Sequence, residues 1–128
     1  MKQRIINPSD GIFATTPDYV HALEVSSTTR QLFVSGTVGV AADGSVPGTL
    51  EAQLDLVWAN IARILREADM TVANIVRVTS YLTDRAQIEA NQDARVRALA
   101  GRVVPTTAIV VQTLFDEWLV EVEVVAMA

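Results

Sequence analysis

The segment Leu119-Val120-Glu121-Val122-Glu123-Val124-Val125-Ala126-Met127 constrains the fold more than any other stretch of the chain. Apolar and acidic residues alternate, and side chains along a strand alternate between its two faces. Val120, Val122 and Val124 therefore share one face, and Glu121 and Glu123 the other. The valine face belongs to a core. A face carrying two carboxylates needs water, a partner or a chemical role.

Upstream lies a second short apolar strand, Val104 to Val111, which carries Pro105-Thr106-Thr107-Ala108. Near the other end, Lys2 to Ile6 reads as a strand closed by Asn7-Pro8-Ser9-Asp10-Gly11. Tyr19 to Val25 and Gln31 to Gly36 read as two more, joined as a hairpin around Ser26 to Arg30. After the turn residues Asp43-Gly44 and Pro47-Gly48, Thr49 stands where a helix N-cap belongs, with Glu51 in the first turn. Leu50, Leu54, Val57, Trp58, Ile61, Ile64, Leu65 and Ala68 recur every three or four residues, the stripe of a long amphipathic helix. Ile75 to Leu82 is rich in β-branched residues and reads as a strand, with Val76, Val78 and Leu82 on one side and Tyr81 on the other. Thr83-Asp84 caps a second helix, roughly Gln87 to Ala100, whose weaker stripe is Ile88, Asn91, Val96 and Leu99. The order β-β-β-α-β-α-β-β is that of an α+β domain, with both helices on one face of a sheet. The uncovered face then calls for a second copy of the chain.

Composition narrows the function. The chain has 128 residues, one domain's worth, and a formal charge of −5. Lys2 is the only lysine and the arginines are scattered, so a nucleic-acid partner is disfavoured. With no cysteine and only one histidine, His21, thiolate and multi-histidine metal sites are excluded. No apolar run reaches membrane-spanning length and no signal-peptide core opens the sequence, which places the protein in the cytoplasm.

Four motifs in order resemble one family across most of the chain. Leu32-Phe33-Val34-Ser35-Gly36 is similar to its hydrophobic-hydrophobic-Ser-Gly strand. The helix bearing Gln53, Asn60 and Ile61 follows. Ile75 to Asp84 is similar to its strand ending in Thr-x-Tyr-Leu-x-Asp, and Val120 to Ala126 to its closing strand. The family is Rid, also called YjgF/YER057c/UK114, of enamine/imine deaminases. The resemblance implies a chorismate-mutase-like α+β fold and a homotrimer with a central barrel. It also implies clefts between subunits that hydrolyse small imines to keto acids and ammonia without a cofactor. Carried over residue by residue, it marks Glu121 as the water-positioning carboxylate and Tyr19, Ser35, Gly36 and Asn91 as cleft residues. Thr106, Thr107 and Ile109 line the same strand, and His21 joins them as a candidate acid, base or donor.

One departure bears on substrate. The family's substrate-gripping arginine falls at Thr107. An arginine pairs with a carboxylate through two parallel hydrogen bonds, whereas threonine offers one neutral hydroxyl. Losing the cation costs a buried carboxylate ligand about 2–5 kcal/mol. The resemblance thus implies an altered substrate, an arginine from elsewhere such as Arg30 or Arg102, or a cleft that binds without catalysing. The plainer alternatives are a Glu121 satisfied at a subunit interface and a His21 that is only an interface residue. Glu123 reads as structural and Trp58 as core. Ser35 lacks the His and Asp partners of a nucleophile, and Gly36 and Gly39 form no phosphate loop.

Overall fold

The computed structural model describes residues 1–128. Its elements are β1 (Lys2–Ile6), β2 (Ala22–Ser26), β3 (Gln31–Val38), α1 (Leu50–Glu67), β4 (Ile75–Leu82), α2 (Ile88–Ala98), β5 (Thr106–Val110) and β6 (Val120–Met127). The main sheet runs β3-β6-β4-β5, antiparallel except for the parallel pair β4–β5. That pair is parallel because α2 carries the chain back across the sheet before β5 begins, as a parallel connection requires.

Thr49 caps α1, its hydroxyl accepting from the Ala52 amide. The buried stripe is Leu54, Val57, Trp58, Ile61 and Leu65. Facing it across the core are Ile75, Val78 and Leu82 of β4 and Val120, Val122, Val124 and Ala126 of β6. Gln53 is buried with them but fully paired. Its amide donates to the carbonyls of Pro47 and Glu117, and its oxygen accepts from the Leu119 amide. This one side chain ties α1 to the loop entering β6. Gly39 lets the backbone pass close by, since a Cβ there would lie 2.9 Å from the Gln53 backbone.

Three expectations need correction. The hairpin of the second and third strands does not form: β2 pairs with β1, in a separate two-stranded sheet. The chain turns at Ser27, in the left-handed region at φ 56°. The amides of Thr29 and Arg30 then bind the Ala128 carbonyl, which starts β3 alongside β6 instead. In β4, the register shift between Ile75 and Arg77 moves Ile75 rather than Val76 into the helix-side core. In α2, Ile88 and Val96 are exposed, and the buried residues are Asn91, Ala94 and Arg95. Charge misled the pattern there, because Arg95 is buried by an ion pair.

Candidate functional site

The far side of the main sheet has no helix on it. Strand register orders its side chains into three rows. Glu121 of β6, Tyr81 of β4 and Ile109 of β5 form the first. Glu123, Thr79 and Thr107 form the second. The third is Phe33, Val125 and Arg77, of β3, β6 and β4. With Val125, Phe33 (71 % exposed) and Ile109 (46 % exposed) are the apolar members of an otherwise polar surface.

Glu121 owes its place to a bulge in β3. Val34 pairs with Val124 and Thr37 with Val122, so Ser35 and Gly36 together oppose Glu123. Such a two-for-one insertion bends a strand and re-aims what lies near it. The Glu121 carboxylate lies over Gly36, where a Cβ would sit 2.1 Å from Oε1. Any other residue at position 36 would displace the acid. Ser35 is exposed beside it, on a groove that also reaches Asn60 and Ile64 of α1.

Glu123 is held differently. The Tyr81 hydroxyl donates to its Oε1 at 2.5 Å. That hydrogen bond, then burial and the nearby Glu123 and Glu121 charges, hold the Tyr81 phenol above its usual value, with Arg77 opposing. Tyr81 therefore remains a donor at neutral pH.

A second cluster lies on the helix side of the β5 edge. Tyr19, Asn91 and Thr106 line a hollow of about 240 Å³ with Asp18, Gln92, Arg95 and Ala108. Asn91 is buried, and its Oδ1 has no hydrogen-bond partner. Arg95 donates to the Asp18 carbonyl and forms a 2.7 Å ion pair with its carboxylate. Burial pushes the Asp18 carboxyl upward. The hydrogen bonds from Thr16 and Arg95, its own backbone amide and the Arg95 charge outweigh that, and the net shift is downward.

The candidate residues therefore divide. Glu121, Ser35, Gly36, Thr107 and Ile109 belong to the free face or its β3 edge, whereas Tyr19, Asn91 and Thr106 meet on the opposite side. Tyr19 and His21 do not share a strand face, because Pro17 and Asp18 make a turn and β2 begins only at Ala22. His21 packs edge-on against Phe13, ring centroids 5.0 Å apart, in a separate hollow with Arg77 and Pro105. Neither proposed substitute arginine reaches the free face: Arg30 donates to the Ala68 carbonyl, and Arg102 to those of Val72 and Ile75. Trp118 packs on Phe115 of its own loop. Arg77 and the Asp18–Arg95 pair were missed. The alternation of Arg77, Thr79 and Tyr81 against Val78, Ser80 and Leu82 is the signal that places Arg77 on the free face. No cluster of three metal-binding side chains exists, and no helix is long and apolar enough to cross a membrane.

The family profile described as endoribonuclease L-PSP matches residues 12–128. A structure of a Rid-family protein of unknown function, YyfB from Yersinia pestis, superposes with a TM-score of 0.88 at 32 % identity, covering 100 % of both chains. The chain belongs to the Rid/YjgF family. Among curated relatives, a RutC family protein of Aquifex aeolicus is 36 % identical over 67 residues, covering 52 % of this chain and 51 % of that one. The mitochondrial protein mmf2 of Schizosaccharomyces pombe is 38 % identical over 53 residues, covering 41 % and 42 %. The matches thus span about half the length of these relatives or less. RidA from an Antarctic Psychrobacter shares the fold, with a TM-score of 0.73 at 22 % identity over 98 % of this chain and 100 % of that one.

Proposed function

We propose that this Rid-family protein hydrolyses a small imine, enamine or similar polar metabolite, with Glu121 as the group that positions and deprotonates water. The observation that carries this is the Glu121 carboxylate laid over Gly36 beside Ser35, on a sheet face with no helix on it. Glu121 takes a proton from water as the oxygen bonds to the C=N carbon and the π electrons move to nitrogen, and it then passes that proton to the nitrogen. Collapse of the resulting carbinolamine breaks the C–N bond, releases ammonia and leaves a carbonyl. A positioned carboxylate contributes about 10²–10⁴-fold to such proton transfers.

The two clusters lie on opposite sides of one sheet, so one copy of the chain does not close a cleft around Glu121. A second copy does so in this proposal, within a homotrimer whose free faces form a central barrel, as in the chorismate-mutase-like arrangement. The reaction uses no cofactor and runs in the cytoplasm.

The rival function is a non-catalytic binding module, and Thr107 favours it, since the family's arginine is absent there. Endoribonuclease activity ranks last. The chain carries a charge of −5, and four of its ten Lys and Arg residues are tied up in ion pairs.

Ammonia release from a panel of freshly generated imines, charged and uncharged, tests the proposal. Turnover that disappears in Glu121→Ala supports it. No turnover on any imine, together with a ligand that raises Tm unconsumed, supports the binding module. Thr107→Arg sharpens the comparison: gain of activity on carboxylated imines shows that the remaining machinery is intact.

A further inference from the structure

The hollow on the helix side of the β5 edge holds two polar atoms that the fold leaves unpaired. Asn91 is 3 % exposed and Arg95 4 %, and both line it. Asn91 Oδ1, an acceptor, and Arg95 Nε, a donor, are buried without a hydrogen-bond partner. They stand four residues apart on α2, which makes them neighbours on one face of the helix. Two such atoms in one hollow are unusual, because an unpaired buried polar group is costly and nearly all are satisfied. Neither belongs to the helix-free sheet face. Thr106 lines this hollow, whereas Thr107, the next residue of β5, stands in a row on the other side.

Charge in the hollow is already balanced. Arg95 donates through Nη1 to the Asp18 carbonyl and through Nη2 to Asp18 Oδ2, and the Thr16 hydroxyl donates to Oδ1. The Nε–H is the arm of the guanidinium that this pair leaves buried and unused. A carboxylate ligand would meet Asp18 with like charge, and an ammonium would meet Arg95 in the same way. An uncharged group avoids both, which is selection by repulsion as much as by attraction. The unpaired acceptor and donor call for a ligand N–H beside a ligand C=O, and a primary carboxamide carries both on one carbon. Leu82 and Ile88 supply apolar wall. At about 30 Å³ for a water molecule, the hollow has room for roughly eight non-hydrogen atoms.

We infer that this hollow binds a small uncharged carboxamide, its N–H on Asn91 Oδ1 and its carbonyl on the Arg95 Nε–H. Arg95 acts here as a neutralised donor rather than as a counter-ion, which turns selection away from carboxylates. As an assignment of substrate, this rests on the proposed function and names its class: an imine whose chain ends in an amide rather than an acid. Binding itself does not depend on turnover.

The test is an NMR titration of the full-length chain with propionamide, propionate, propylamine and 2-butanone, four molecules of similar size. Propionamide shifts amide signals around Asn91, Arg95 and Thr106. The other three are charged or lack the N–H, and they bind at least about tenfold more weakly. Asn91→Leu removes the acceptor with little change in size. It weakens propionamide binding by about tenfold or more while Tm holds or rises, because an unpaired buried group goes with it. Arg95→Lys keeps a cation facing Asp18, removes the Nε–H and weakens binding to a similar degree. Three results overturn the inference: no propionamide shifts at the hollow, as when a second copy of the chain fills it; propionate binding as tightly as propionamide; or undiminished binding in Asn91→Leu. The imine assay keeps the two proposals apart. Propionamide binding without turnover of any imine leaves the carboxamide site standing and removes the hydrolase. Turnover with no propionamide binding removes the carboxamide site alone.

Discussion

The two faces of the main sheet are built from the same strands, yet they behave as different materials. On the helix side, Val120, Val122, Val124 and Ala126 form one continuous apolar row sealed beneath α1. On the free side, the intervening residues are Glu121, Glu123 and Val125, joined by Tyr81, Thr79, Arg77 and the exposed Phe33. Burial of apolar area makes the first face the source of stability. The second adds little to the stability of one chain and holds its charged groups at defined spacing. Residues adjacent in sequence thus differ in what their loss would change: folding for one, chemistry or assembly for the next.

Substitutions on the two faces test this division. Leu65→Ala, at a fully buried core position, costs about 4 kcal/mol in a denaturant titration. A loss below about 1 kcal/mol would mean that α1 is not seated as described. Arg95→Ala costs about 3 kcal/mol, the low end for a broken buried pair, because Asp18 keeps some contact with water. The same pair makes a pH prediction. Asp18 is held below its ordinary value in the folded chain. Its contribution is therefore complete above about pH 4 and is lost as pH falls through the folded value. Asp18→Asn should flatten that acid limb of a Tm-versus-pH curve.

Gly36→Ala costs only about 1 kcal/mol, since the atom it meets is the mobile end of Glu121, but it should cut imine turnover by about tenfold or more. Retained turnover would separate Gly36 from the catalytic geometry. Smallest of all, Phe33→Ala changes the stability of an isolated chain by no more than about 0.5 kcal/mol. It should still weaken self-association in a sedimentation dilution series.

Period and punctuation made most of the fold legible. The stripe from Leu50 to Leu65 and the alternation from Val120 to Met127 each have one physical solution, and both elements form where the pattern puts them. Pairing partners were less visible. The Ser26–Arg30 connection looks like a hairpin loop, and only the Ala128 carbonyl, far away in sequence, directs β3 to β6. The second helix hid its buried face because Arg95 is charged and its partner Asp18 lies 77 positions upstream. The site was half legible. Alternation put Glu121 and Glu123 on one face, but the bulge that lays Glu121 over Gly36 is a register effect that no local pattern records. The resemblance implies cleft positions for Tyr19 and Asn91, yet their side of the sheet depends on where the loop before β2 returns.

The most direct test of the central claim is the initial rate of ammonia release from one accepted imine, compared between the wild-type chain and Glu121→Gln. The substitution keeps the side chain's shape over Gly36 and removes its ability to take a proton. The rate should fall by about a hundredfold or more with the fold and oligomer unchanged. An unchanged rate in Glu121→Gln would contradict the assignment of Glu121 to the chemistry.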